Sequence, residues 1–204
     1  MGFYSRHVFP RLCDWAMRAP DITRLRREVL SKVDGEILEI GFGTGLNLKH
    51  YPEDVRHLTA VDPGVGMSQI ARRRIELSDI DVDLHVQTAE ELPFKNGQFD
   101  CVVSTWTLCS IRDGRQAVAE IGRVLKPGGR FLFLEHGLSD EGGIQRWQRR
   151  LTPLQKRLAD GCRLDLDIEA LVRSGAFREV QVERFLLEST PRIVGSMYRG
   201  VAVR

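Results

Sequence analysis

Glu39-Ile40-Gly41-Phe42-Gly43-Thr44-Gly45 follows Glu36-Ile37-Leu38, a short run that reads as the start of a buried strand. It precedes Leu46-Asn47-Leu48-Lys49-His50-Tyr51, which reads as the first turns of a helix over 44–51. A strand that ends in closely spaced glycines and turns into a helix lets a ligand touch backbone. Glycine tolerates positive φ and has no Cβ to hold a ligand away. The helix N-terminus behind the turn leaves unpaired N–H groups aimed at whatever sits there.

The spacing separates two nucleotide ligands. The dinucleotide fingerprint G-x-G-x-x-G/A, counted from Gly41, needs its third glycine at 46, where this chain has Leu46. The chain instead carries G-x-G-x-G, with Glu39 two residues before the first glycine and Asp62 closing a second apolar run, Leu58-Thr59-Ala60-Val61. A carboxylate at Asp62 can accept hydrogen bonds from both ribose hydroxyls of a nucleoside. The E-x-G-x-G-x-G … D arrangement resembles class I S-adenosylmethionine (SAM) methyltransferases. The resemblance implies S-adenosyl-L-methionine as cofactor and an α/β fold, a Rossmann-like seven-stranded sheet in a three-layer sandwich with a C-terminal antiparallel hairpin.

At 204 residues the chain has room for one substantial core, expected here as a single domain over 1–204. A net charge of +2 is too small to point to nucleic acid. Arg72-Arg73-Arg74 and the Arg146 to Arg150 cluster read as solvated helix faces; the second, with Trp147, is also a candidate for peripheral contact with an anionic membrane. No apolar stretch approaches the length of a transmembrane helix, and Met1 to His7 lacks the apolar core of a signal peptide. Cys13, Cys101, Cys109 and Cys162 show no C-x-x-C pair and no metal-binding spacing along the chain. They read as reduced thiols, with no metal expected, in a cytoplasmic protein.

Helical and strand patterns alternate. One or two helices are expected over 8–32 with a break at Pro20-Asp21, then strands at 35–40, 57–61, 81–86, 99–105 and 130–135. Helices are expected at 65–78 and 113–125, the second stopped by Lys126-Pro127-Gly128-Gly129. Beyond this lie an arginine-rich helical stretch at 141–159 interrupted at Pro153, a helix from Leu166 to Ser174, and two terminal strands at 178–187 and 193–203.

In a doubly wound sheet the ligand sits beyond the carboxyl ends of the strands, so the residues just after each strand matter most. They are Gly41, Gly43 and Gly45 after the first strand, and Asp62-Pro63 after the second. Gln87-Thr88-Ala89-Glu90-Glu91-Leu92-Pro93-Phe94 follows the third and is similar to the family's D-A-E-x-L-P-F loop over adenine. Thr88 stands where an Asp is common, which leaves the backbone of Ala89 or Glu90 to meet the ring; Leu92 and Phe94 read as core. After the fourth strand, Thr105 and Trp106 would line the wall between cofactor and acceptor, with Trp106 as a ring face for a sulfonium or as a core residue. Cys109 reads as a buried inert thiol or a pocket residue. After the fifth strand, His136 is a candidate proton acceptor and Glu135 a candidate to orient it or to bind the acceptor; a structural polar pair is the alternative.

Leu108-Cys109-Ser110-Ile111, Glu135-His136, Asp160-Gly161-Cys162-Arg163-Leu164 and Tyr198-Arg199-Gly200-Val201-Ala202 narrow the resemblance. They are similar to the methyltransferase-like "seven" alkyl thiol S-methyltransferases and their bacterial relatives, over most of 35–204. The animal proteins of that group begin with a membrane-anchoring apolar segment that this chain lacks. The resemblance implies lid helices over 1–34, with Tyr4 and His7 as candidates to reach the acceptor and an untethered terminus as the alternative, a cofactor core over 35–137, a helical substrate cover over 138–176 and strands over 177–204. It implies methyl transfer to a small-molecule acceptor, with a thiol slightly preferred. The alternatives are a phospholipid or quinone methyltransferase, an NAD-linked oxidoreductase and a SAM-binding module without chemistry.

Overall fold

The computed structural model describes residues 9–64 and 69–204. Tyr4, with Phe3 and His7, lies outside the described residues.

Strand β1 (Ile37–Ile40) is buried along its whole length. It is flanked in parallel by β2 (His57–Val61) and by β4 (Phe99–Thr105). Strand β3 (Asp81–His85) extends the sheet beyond β2, and β5 (Leu125–His136) lies beside β4. Strand β6 (Glu179–Leu186) is the far edge, and β7 (Ser196–Val203) fits between β5 and β6, antiparallel to both. The order is β3-β2-β1-β4-β5-β7-β6. The chain leaves β1 toward one edge and returns at β4, so strand order reverses between them, and that is where a doubly wound sheet opens its ligand crevice.

The central strands β1, β4 and β5 are buried on both faces because helices cover both. Along β5, Phe131 and Phe133 enter one core while Leu132 and Leu134 enter the other. The first core takes Ala117, Val118, Ile121 and Val124 from α4 (Gly114–Val124) and Ile168, Leu171 and Val172 from α6 (Ile168–Arg173). The second takes Ile22, Leu25, Val29 and Leu30 from α2 (Pro20–Leu30) and Ala71 from α3 (Gln69–Glu76). Each fully buried large aliphatic side chain contributes roughly 1.5–3 kcal/mol, so these two stripes hold the three layers together. The expected three-layer α/β architecture with its C-terminal antiparallel hairpin is the observed one.

Local chemistry sets the ends. Pro20 opens α2, where its missing N–H costs nothing, so the break falls before Pro20, after α1 (Phe9–Ala16). Asp113 and Asp167 cap α4 and α6 by accepting from Gln116 N (3.1 Å) and Ala170 N (3.0 Å). Three expectations fail. Residues 44–51 form turns and one 3-10 turn, Leu48–His50, in place of a helix. The stretch containing Pro153 is one unbroken helix, α5 (Gly142–Leu158). Lys126-Pro127-Gly128-Gly129 does not separate helix from strand, since β5 already begins at Leu125 and absorbs these residues in an irregularity where its register with β4 shifts. No helix among the described residues is long and apolar enough to cross a membrane.

Candidate functional site

The glycines at the exit of β1 adopt φ of 78° at Gly41, 56° at Gly43 and 75° at Gly45, all in the left-handed region. They differ in purpose. A Cβ on Gly41 would meet Thr107 Oγ1 at 2.2 Å, so that glycine lets the β1 and β4 exits touch. A Cβ on Gly45 would meet the Phe42 ring at 3.1 Å. A Cβ on Gly43 would meet nothing within 4 Å, so backbone is bare toward open space there. Asp62 faces the same place: its carboxylate accepts from Gly43 N at 2.7 Å and from Gly64 N at 2.8 Å. A carboxylate offers about four lone-pair sites, which leaves capacity for sugar hydroxyls. Pro63 follows on the exposed side. Open backbone with an acid beside it fits a nucleoside cofactor. The N–H groups at the site belong to turns and not to a helix terminus.

The loop after β3 divides. Thr88 is exposed, Ala89 is buried in the first core, and Glu90 accepts from Asp113 N at 3.2 Å. The Glu90 side chain is therefore turned toward the start of α4. Leu92 is buried, and Phe94 packs edge-on against His85 and Phe99.

Beneath the glycine turn lies a buried polar network. Glu39, only 1% exposed, accepts from Asn47 Nδ2 at 2.9 Å and from the Tyr51 hydroxyl at 2.7 Å. Arg26 of α2 donates to Asn47 Oδ1 at 2.6 Å and to Thr105 Oγ1 at 2.9 Å. Burial pushes the Glu39 carboxyl up to about 7 and pulls Arg26 down to about 10. These contacts assign Glu39 and Thr105 to supporting the turn from below, in place of the direct cofactor contact expected of them. Trp106 has a left-handed φ of 52°, and the Arg26 guanidinium lies 4.7 Å from its ring centroid. The cation on that ring thus comes from the protein. A second clamp holds the turn from outside: Arg74 donates to Thr44 O (2.7 Å) and Asp14 (2.6 Å), and the Thr44 hydroxyl donates to Asp14 at 2.7 Å.

At the exit of β5, Glu135 is fully buried, and its oxygens accept from Ser104 Oγ (2.7 Å), Thr107 N (2.8 Å) and Leu108 N (3.2 Å). Its carboxylate thus holds the turn after β4, and the expectation that it orients the His136 ring or binds an acceptor is corrected. His136 points elsewhere, with Nε2 at 3.1 Å from Cys162 Sγ. Cys162 Sγ in turn is 3.6 Å from Cys109 Sγ. Arg163 N donates to Cys109 O at 3.0 Å, which pins the loop after α5 onto the β4 exit. The expectation of a free His136 base therefore meets an imidazole already partnered with a thiol of its own chain. Cys13, Cys101, Cys109 and Cys162 are unbridged.

Sequence reasoning brought the glycines, Asp62, Trp106 and His136 to one edge of the sheet, as observed. It missed Arg26, Asn47, Tyr51, Asp14 and Arg74. The one available signal for Cys162 was the Asp160-Gly161-Cys162 stretch, where φ is 46° at Asp160 and 89° at Gly161.

Comparison with known proteins places this geometry. The Methyltransferase domain family matches residues 38–133. Thiol S-methyltransferase TMT1B of Rattus norvegicus is 34% identical over 152 residues, covering 72% of this chain and 62% of the relative, less than two thirds of its length. Thiol S-methyltransferase TMT1B of Homo sapiens is 31% identical over 171 residues, covering 78% and 70%. A SAM-dependent methyltransferase of Thermotoga maritima has the same fold, with a TM-score of 0.66 at 22% identity over 97% of this chain and 98% of that one. With the bare backbone at Gly43 facing Asp62 at the point where strand order reverses, these likenesses show that the chain belongs to the class I S-adenosylmethionine-dependent methyltransferases.

Proposed function

We propose that this chain transfers a methyl group from S-adenosylmethionine to a small-molecule thiol. The observation that carries the reading is the open space beside Gly43, faced by the Asp62 carboxylate. S-adenosylmethionine supplies an electrophilic methyl on a sulfonium. Gly43 and Asp62 bind the nucleoside, and the loop at Thr88, Ala89 and Glu90 covers the base. The turn at Trp106 and Thr107, fixed by Glu135, separates cofactor from acceptor. Positioning of this kind can supply about 7–11 kcal/mol of a barrier. The thiol preference is supported by the relatives named thiol S-methyltransferases.

The test is to incubate the chain with S-adenosylmethionine and matched panels of thiols, amines and phosphatidylethanolamine vesicles, and to assay S-adenosylhomocysteine. Turnover confined to thiols is expected. Turnover on amines or lipid alone would overturn the acceptor class, and binding without turnover would make the chain a SAM-binding module.

The same reading gives α5 an anionic membrane surface as partner. Trp147, Leu151, Leu154 and Leu158 recur at helical spacing and are 57%, 36%, 54% and 52% exposed. The helix carries Arg146, Arg149, Arg150, Lys156 and Arg157 and no acid. A stripe of this kind with basic flanks suits an anionic lipid interface. Co-sedimentation with phosphatidylserine vesicles but not with phosphatidylcholine vesicles is expected, and Trp147→Ser with Leu154→Ser should abolish it. Equal recovery with both lipids would overturn this partner.

A further inference from the structure

Three metal-ligating groups far apart in the chain meet beyond the carboxyl ends of β4 and β5. Cys109 follows β4, His136 ends β5 and Cys162 follows α5. The Cys109 and Cys162 sulfurs are 3.6 Å apart, His136 Nε2 is 3.1 Å from Cys162 Sγ, and all three donor atoms lie within 4.8 Å of one another. Tetrahedral zinc with Zn–S of about 2.3 Å and Zn–N of about 2.0–2.1 Å needs sulfurs about 3.8 Å apart and sulfur and nitrogen about 3.5 Å apart. The Cys109–Cys162 and His136–Cys162 separations are within a few tenths of an ångström of these values, and the remaining Cys109–His136 pair lies within 4.8 Å, so closing on an ion asks that pair to draw together. Both cysteines are buried, at 2% and 8% exposure, while His136 is only partly buried. The hydrogen bond from Arg163 N to Cys109 O fixes the two sulfur-bearing segments together, and the left-handed pair Asp160-Gly161 turns the chain so that Cys162 enters the cluster. The linear spacing of the cysteines gave no metal signature because two of the ligands are 53 residues apart.

We propose that Cys109, His136 and Cys162 form a binding site for a soft divalent metal ion of the zinc class, with three protein ligands and a fourth position left for water or an exogenous thiolate. Binding balances as one metal ion entering and two thiol protons leaving, with His136 coordinating through Nε2 as the neutral imidazole. Two thiolates and one imidazole favour zinc over magnesium or calcium, which want oxygen. The site stands whether or not the acceptor is a thiol. Only the further step, in which an acceptor sulfur takes the fourth position as its thiolate and its proton leaves to solvent, rests on the thiol reading above.

The test needs no turnover. The full chain, reduced and stripped with a chelator, is titrated with zinc and separately with cobalt(II). Expected are one metal ion per chain, two protons released per ion, and a cobalt spectrum with thiolate charge transfer and the strong visible bands of a tetrahedral site. Cys109→Ser, Cys162→Ser and His136→Ala should each weaken binding by more than ~100-fold, beyond the cost of losing a partner that only orients a ligand. Cys101→Ala, buried outside the cluster, should not weaken it. Zinc binding that survives all three substitutions would overturn the site, as would a cobalt spectrum without thiolate charge transfer. If a variant fails to fold, the cobalt spectrum of the unaltered chain decides alone.

Discussion

Gly41 and Gly43 sit two residues apart in one turn and share left-handed backbone, yet the structure predicts opposite consequences for adding one methyl group to each. Any L-residue there pays about 1–2 kcal/mol for the left-handed conformation. At Gly43 that is the whole folding penalty, because the new Cβ meets nothing within 4 Å. At Gly41 the new Cβ would stand 2.2 Å from Thr107 Oγ1 and 2.3 Å from its Cγ2. Thr107 cannot retreat, since its N–H is held by the Glu135 carboxylate at 2.8 Å. Overpacking adds about 1–3 kcal/mol, for a total of about 2–5 kcal/mol. In a chain of this size each kcal/mol moves the melting temperature by roughly 2–4 °C. Gly43→Ala should therefore melt only a few degrees below the parent, and Gly41→Ala well below that. Titration calorimetry should give the reverse emphasis: Gly43→Ala loses at least ~10-fold in affinity for S-adenosylhomocysteine, about 1.4 kcal/mol, while keeping its fold. Unchanged affinity in Gly43→Ala would refute the assignment of the open space to the cofactor. Equal loss of stability in the two variants would refute the division of labour between the glycines.

Asp62→Ala removes a charged acceptor from the sugar's side of the turn and should weaken cofactor binding by more than ~10-fold in the same calorimetry; a change of twofold or less would count against it. Glu39 carries a pH signature: its folded pKa of about 7 lies above the ordinary 4.5, so the folded state holds that proton more tightly. The contribution is fully present below pH 4.5 and is lost as pH rises through 7, about 3 kcal/mol in all. Glu39→Gln keeps a neutral side chain there, so urea unfolding should show the variant gaining on the parent across that window, and parallel curves would contradict this. Arg26→Met should destabilise by about 1–3 kcal/mol in the same assay by leaving the Asn47 amide oxygen without its donor, while Thr105 keeps the Asn47 Nδ2 bond, and a neutral substitution would remove Arg26 from the framework.

What the sequence revealed and what it hid divide along one physical line. β2 and β4 match their expected bounds because a short apolar run in a buried parallel strand is a local signal. The places of the glycines and Asp62 just beyond β1 and β2 were legible for the same reason, each being fixed by its distance from a strand end. The 44–51 helix failed because its apolar spacing mimics a helix, while Asn47 and Tyr51 spend their side chains on Glu39. The groups that were missed meet across long separations: Arg26 reaches Asn47 over 21 residues and Thr105 over 79. Nothing in one chain's spacing encodes such meetings. The expected roles of Glu39 and Glu135 went wrong in the same way, since an acid at a strand end reads as a ligand group until its partners are known.

Glu39 and Glu135 play the same structural part at two strand ends. Each is buried at the end of a strand, where an isolated carboxylate would be costly. Each spends its oxygens on the chain itself: Glu39 on the segment behind the glycine turn, Glu135 on the N–H groups of Thr107 and Leu108. Between them Trp106 holds a left-handed backbone that a bulky residue seldom adopts, with its N–H donating to Leu134 O at 2.8 Å and its ring against Arg26. The strain at Trp106 is offset by the hydrogen bonds on either side of it, so the turn after β4 that we propose as the wall between cofactor and acceptor is rigidly held. A reaction that asks for in-line placement of two partners, and for little covalent work from the protein, gains most from a wall of this kind.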